Sequence, residues 1–76
     1  MVNIADIQEH MEVRGADGQH VGTVDEIEDN RIKLTKSDLL ANHQHHYITL
    51  DDVDRVENQI VWLQQTAQQL LTAWFA

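Results

Sequence analysis

The fold is decided by the segment Met11-Glu-Val-Arg-Gly-Ala-Asp-Gly-Gln-His-Val-Gly-Thr-Val-Asp-Glu-Ile-Glu-Asp-Asn-Arg-Ile-Lys-Leu34. Apolar and polar residues alternate along it with the period of two that is typical of half-buried strands. Two groups of turn residues interrupt the alternation, Gly15-Ala-Asp-Gly18 and Glu28-Asp-Asn30. The Asp-Gly pair in particular tolerates the positive φ of tight turns. The segment therefore predicts three short strands joined by two tight turns.

The alternation slips within the second of these strands. Val21, Val24 and Ile27 fall on odd, even and odd positions, so a regular strand cannot turn all three toward one core. Gly22 lies among them and indicates a bend or the close approach of another group. The slip predicts a β-bulge or strong coiling, which a sheet needs in order to curl into a barrel.

The later part of the chain repeats this hairpin. Val24–Leu34 aligns without gaps on Val53–Leu63, and Asp and Glu recur at the same offsets. Five pairs are apolar in both copies: Val21/Leu50, Val24/Val53, Ile27/Val56, Ile32/Val61 and Leu34/Leu63. The repeat predicts a second unit of strand, turn and return strand.

The pattern changes period after the second copy. Thr66 and Gln69 have the spacing of a capping box, and apolar residues then recur at helical spacing. We predict a helix over about 66–75. Its apolar stripe either closes the mouth of the barrel or forms a homodimer interface, and the sequence leaves both open. The interface residues would be Leu70, Leu71, Trp74 and Phe75.

Length and composition limit the classes of function. A chain of 76 residues predicts a single domain, residues 1–76. Its net charge of −8 repels a phosphate backbone, so we expect no nucleic-acid partner. It contains no apolar run of about 20 residues, and its start lacks the features of a signal peptide. We therefore expect no membrane association and a cytoplasmic location. Without cysteine, disulfides and thiolate metal sites are excluded.

Three histidines lie close together, at His43, His45 and His46. His43 and His45 would share one face of a strand that leads to Leu50, where they could bind Zn²⁺ or Ni²⁺ with His20 or a carboxylate completing the site. His46 would point to the opposite face. The alternative is that His45 covers a sheet face and His46 closes the barrel end through a side-chain hydrogen bond.

Acid–base catalysis would need a histidine beside a carboxylate, such as His10 or His20 near Asp17 or Asp25. No nucleophile accompanies these residues in a recognisable pattern, and a chain this short has little room for a substrate pocket. We therefore expect no enzyme, no catalytic residue and no cofactor other than the zinc that the histidines would hold.

Two motifs resemble the PRC-barrel superfamily, small β-barrels named for a domain of the photosynthetic reaction centre. They are Val13-Arg-Gly-Ala-Asp-Gly-Gln-His-Val-Gly-Thr-Val-Asp25 and Ile48-Thr-Leu-Asp-Asp-Val53. A small bacterial family of uncharacterised, PRC-barrel-like proteins is more similar still. Its pattern is seen in Asp6–Val13, Asp17–Asp25, Arg31-Ile-Lys-Leu-Thr-Lys-Ser-Asp38 and His45-His-Tyr-Ile48. That family implies no catalytic residues, whereas PRC barrels elsewhere are docking modules that hold protein partners.

Pattern and resemblance together predict a mainly β protein: a small antiparallel PRC-barrel-like β-barrel of five to six strands with a C-terminal α-helix. The function expected of it is that of a non-catalytic protein-interaction module, self-associating as a homodimer. The alternative is a metal-binding protein that uses the His43/His45/His46 cluster.

Overall fold

The computed structural model of the protein describes residues 3–35 and 45–74. Six strands and one α-helix are described there, with two short 3-10 helices, Ile4–Asp6 and Leu50–Asp52. The strands are β1 (Glu12–Arg14), β2 (His20–Glu28), β3 (Arg31–Leu34), β4 (Tyr47–Thr49), β5 (Val53–Glu57) and β6 (Ile60–Leu63). The helix is α1 (Ala67–Trp74). The predicted mainly β fold with a C-terminal helix is confirmed.

The predicted closed antiparallel barrel needs correction, because the sheet is open. Its strand order is β4-β3-β2-β1-β6-β5, which leaves β4 and β5 as edges. One pair, β1 with β6, is parallel, and the other neighbours are antiparallel. The chain joins the two edges through only the 3-10 helix Leu50–Asp52. β4 and β5 are therefore consecutive in the chain but do not pair with each other as a hairpin.

The internal repeat is confirmed by the register of the two hairpins. Val24 faces Leu34 and Ile27 faces Ile32 in the β2–β3 hairpin. The equivalent residues of β5 and β6 face each other in the same way. Each hairpin has a register shift at the aspartate that follows its first valine, Asp25 in one and Asp54 in the other. Strand β2 has another register shift where it pairs with β1, and this shift falls at Val21. These bulges explain the slip in the apolar pattern of β2.

The core is a single cluster of buried side chains to which all six strands and α1 contribute. Its buried apolar side chains come from every strand and from the helix: Ile7, Val13, Val21, Val24, Ile32, Leu34, Ile48, Val53, Val61, Leu63, Ala67 and Leu70. Gly22 makes room for Leu34, whose Cδ1 would lie 3.1 Å from a Cβ added at that glycine. No helix within the described ranges has the length and apolar character needed to cross a membrane.

The N-terminus of α1 is fixed to the β1–β2 turn. The predicted capping box is present: Gln69 N–H donates to Thr66 Oγ1 at 3.2 Å, and Thr66 N–H donates to Gln69 Oε1 at 2.8 Å. Across the chain, Ala67 N–H donates to Asp17 Oδ1 at 3.3 Å. Gly15 lies so close that a Cβ there would collide with the backbone nitrogen of Ala67. These contacts set the position at which the helix crosses the sheet.

Candidate functional site

The histidine segment divides between two environments. His45 Nδ1 donates to the carbonyl oxygen of Leu34 at 2.9 Å and lies 3.9 Å from Asp25 Oδ2. His46 is 9% exposed, and its ring stacks on the indole of Trp74 with a centroid distance of 4.3 Å. The predicted ligand His43 lies outside the described residues. Within residues 3–35 and 45–74, no group of three or more His, Asp and Glu side chains is placed to hold a metal ion.

The apolar stripe of α1 faces mainly its own chain. Leu70 is in the core and 6% exposed. Trp74 is half-buried against His46, and Leu71 is half-buried as well. Phe75 falls outside the described residues. The described part of the stripe therefore packs mainly on its own domain. Homodimerisation through Leu70, Leu71, Trp74 and Phe75 stays a prediction.

A patch of two apolar and four charged side chains lies on the outer face of the sheet. Register pairs Arg14 of β1 with Trp62 of β6, and Trp62 with Arg55 of β5. The adjacent row is formed in the same way by Glu12, Ile60 and Glu57. Val61 and Leu63, on either side of Trp62 in sequence, are buried, so the alternation of a strand turns Trp62 outward. We call these six residues of β1, β6 and β5 the Trp62 face.

The two arginines of the Trp62 face lie against the indole ring. The guanidinium carbon is 4.7 Å from the ring centroid for Arg55 and 5.9 Å for Arg14, which is within cation–π range. Trp62 Nε1 is shielded from solvent and has no hydrogen-bond acceptor among the described residues. The ring is therefore held by contacts with its faces, and it is half-buried although it points away from the core.

Each arginine also contacts carboxylates on its own side of the Trp62 face. Arg14 Nε lies 3.1 Å from Glu12 Oε2, which also accepts from His20 Nδ1 at 3.0 Å. The guanidinium of Arg14, and after it the imidazole of His20, hold the pKa of the Glu12 carboxyl below its ordinary value. On the other side, Arg55 contacts Asp54 at 2.7 Å and Glu57 at 3.7 Å. These pairs balance the charge of the arginines while leaving them at the surface.

The sequence model of one bacterial protein family matches residues 7–71 of the chain. The family is described as an uncharacterized protein conserved in bacteria, DUF2171. The chain belongs to this family. The matched region runs from Ile7 to Leu71, so it contains the whole Trp62 face and ends before Trp74. No curated protein matches the chain. Family membership supports the predicted small bacterial protein of unknown function and assigns no role to any residue.

Sequence reasoning missed Trp62, although a signal for it was present. The repeat was read through its inward positions, Val61 and Leu63 among them, and the residue between two inward positions of a strand must face outward. An outward tryptophan is unusual, because large aromatic side chains dominate the energetics of cores and interfaces. The alternation of residues along β6 therefore predicts that Trp62 points outward. It does not predict which strands lie next to β6 and bring two arginines beside the indole.

The structure pairs His20, one of the histidines considered for acid–base chemistry, with Glu12, which is not one of the predicted aspartates. Asp17 Oδ1 accepts from the backbone nitrogens of Gln19 and Ala67. His10 lines an open concavity of about 730 Å³ with several acidic residues, including Glu9. The lining within residues 3–35 and 45–74 consists of Asp6, Gln8, Glu9, His10, Met11, Glu12, Val56 and Gln59.

Proposed function

We propose that this protein is a non-catalytic docking module and that it binds its partner through the Trp62 face. The observation that supports this most directly is the Arg14–Trp62–Arg55 row on an outward-facing part of the sheet. Tryptophan and arginine are the residue types most enriched among those that dominate binding energy at protein interfaces. A half-buried indole already held between two guanidinium groups also loses little side-chain entropy when a partner covers it.

The surface proposed here differs from the helical stripe that the sequence favours. Leu70 is part of the core and Trp74 contacts His46, so α1 contributes mainly to the stability of its own domain. Ile60 and Trp62, by contrast, lie outside the buried core cluster that Ala67 and Leu70 of α1 join, and both are half-buried. The resemblance to PRC barrels, whose domains dock on protein partners, supports the same function and remains part of the proposal. We also propose that it acts in the cytoplasm.

Photo-crosslinking in the native bacterial cell tests this function. A photoreactive benzoylphenylalanine at position 60, beside Trp62, is expected to form a protein adduct on irradiation. The same amino acid at Gln68, an exposed position of α1, is the matched control and should form far less. Adducts at Gln68 and none at position 60 would place the docking surface on the helix. The absence of adducts at both positions would contradict a docking function.

Metal binding is the second candidate, and the geometry of His45 favours it. Because Nδ1 donates to the Leu34 carbonyl, Nε2 carries the lone pair, and such a backbone hydrogen bond is common in metal-ligating histidines. His43, with His20 or a carboxylate, would complete the site. Stoichiometric Zn²⁺ uptake that disappears in a His43→Ala, His45→Ala double variant would support it. If the wild-type chain takes up no Zn²⁺, the histidines have a structural role only.

A further inference from the structure

We infer that the occupant of the Trp62 face is a second copy of the same chain, packed face to face about a two-fold axis. This inference rests on the proposed docking function and specifies its partner. It follows from the order of charges on the face. One row reads Arg14, Trp62, Arg55 across three neighbouring strands, and the adjacent row reads Glu12, Ile60, Glu57.

A two-fold axis parallel to the rows and midway between them makes the face complementary to itself. Such an axis lies in the plane of the interface, crosses the strands at right angles and brings β5 of one copy over β5 of the other. Neighbouring rows along a strand are about 6.7 Å apart, so the basic row of one copy then lies over the acidic row of its partner. Arg55 faces Glu57, Arg14 faces Glu12 and Trp62 faces Ile60. Each contact occurs twice, as in any isologous interface.

The charges also select this axis over the other one that the face allows. A two-fold axis along the strands would place like rows together, with the Arg14 side of one copy over the Arg55 side of the other, and the like charges would repel. A partner that is basic throughout would meet two arginines, and a partner that is acidic throughout would meet two glutamates. A face that carries both signs in separate rows therefore fits its own copy better than a partner of one sign.

The charged side chains are available for these contacts. The exposed fractions of Arg14, Glu12, Arg55 and Glu57 lie between 34% and 59%. Ion pairs at such exposure contribute little to the stability of a monomer, so exchanging them for contacts across the interface costs little. A standard interface covers about 800 Å² of each partner, and the whole chain exposes 4895 Å². A patch of three short strands is small by that measure, so we expect a dimer that dissociates on dilution and weakens at high salt.

Charge reversal in single chains tests the geometry. Arg55→Glu and Glu57→Arg each place like charges opposite each other twice in the dimer, so each variant alone should be monomeric across a dilution series in light scattering. An equimolar mixture of the two should restore a dimer, because position 55 of each chain then faces an opposite charge at position 57 of its partner. The double variant Arg55→Glu, Glu57→Arg should also dimerise. Arg31→Glu makes the same change of charge on β3, away from the face, and should leave the dimer intact.

The outcomes separate this inference from the docking function. A wild-type chain that is monomeric at every concentration overturns the self-association, while adducts between position 60 and another protein in the cell would keep the docking function. A dimer that is unaffected by either reversal lies on another surface and overturns the inference. So does a mixture of the two folded variants that stays monomeric. Circular dichroism of each variant confirms that its fold is intact before its mass is interpreted.

Discussion

The indole ring of Trp74 lies flat against the imidazole ring of His46, with 4.3 Å between the ring centroids and 9° between the ring planes. This contact joins the end of α1 to the residue that precedes β4. The two ends of the helix are thus fixed by different parts of the chain, since Asp17 of the β1–β2 turn accepts from the first helical residue. A short helix that would be marginal alone is stabilised at both ends by such tertiary contacts.

The first prediction concerns this ring contact. Trp74→Ala removes the stacked ring and part of the cover over the core, and we expect it to lower the free energy of unfolding by about 1–3 kcal/mol. Trp74→Phe keeps an aromatic ring and should lose less. Urea unfolding followed by circular dichroism measures both. Equal midpoints for wild type and Trp74→Ala would mean that the stack does not hold the helix.

A second prediction concerns the close approach of the β1–β2 turn to α1. A Cβ at Gly15 would meet backbone atoms of the helix N-terminus, including the carbonyl carbon of Thr66 at 2.9 Å, and backbone cannot move aside as a side chain can. Gly15→Ala should therefore lower the free energy of unfolding by about 2 kcal/mol or more. Gly22→Ala meets only the Leu34 side chain and should cost less. Thermal unfolding decides the order, and a larger loss for Gly22→Ala would contradict it.

The two hairpin turns supply a third, matched prediction. Asn58 and Gln59 both have positive φ, 56° and 64°, whereas in the first hairpin only Asp29 does, at 53°. A non-glycine residue in the left-handed region costs roughly 1–2 kcal/mol, so Gln59→Gly should raise the free energy of unfolding by about 1 kcal/mol. The equivalent change at Asn30, where φ is not positive, should give no such gain. A gain of the same size at both positions would show that φ is not the cause.

The fourth prediction concerns acid sensitivity. Because contacts with Arg14 and His20 lower the pKa of Glu12 in the folded chain, the stability that this carboxylate contributes is present above its unfolded pKa, ordinarily about 4.3. It is lost as the pH falls through the lowered folded pKa. Glu12→Gln should be less stable than wild type at neutral pH by at most about 1 kcal/mol, as is typical of exposed pairs.

The difference between wild type and Glu12→Gln should shrink on acidification below about pH 4, when the wild-type carboxyl takes up a proton. Urea midpoints measured from pH 7 to pH 3 test this. Glu9→Gln, which removes an exposed carboxylate outside this network, is the control. A difference that stays constant over the whole range would mean that protonation of Glu12 does not affect folding.

The sequence predicts the local elements of this fold well, because their signals are local. The capping box at Thr66, the β-bulges around Val21 and Asp25 and the matched hairpins all follow from spacing within a few residues. The openness of the sheet does not follow in this way. It depends on the edge strands β4 and β5 not pairing with each other, although only the 3-10 helix Leu50–Asp52 lies between them in the chain. The parallel pairing of β1 with β6, about 48 residues away, is a long-range contact of the same kind.

The candidate sites show the same division. The histidines and the apolar helix are visible in the sequence as separate features, and only the tertiary fold brings His46 and Trp74 into contact. Trp74, predicted as an interface residue, and His46, part of the predicted metal-binding cluster, therefore contact each other and stabilise the domain. The Trp62 face, in turn, needs three strands from distant parts of the chain to place two arginines and two glutamates around an indole. Periodicity indicates that Trp62 points outward, but not which side chains lie beside it.

The common register of the two hairpins bears on the ancestry of the chain. Residues 29 positions apart occupy equivalent places, down to the aspartate at each bulge and the positive φ at Asp29 and Asn58. Tandem duplication of a short gene segment would produce this correspondence. The copies diverged where the first keeps Gly22 within a continuous strand and the second has Asp51 in a 3-10 helix. Trp62 occupies the place of Lys33, so the outward-facing tryptophan belongs to the second copy alone.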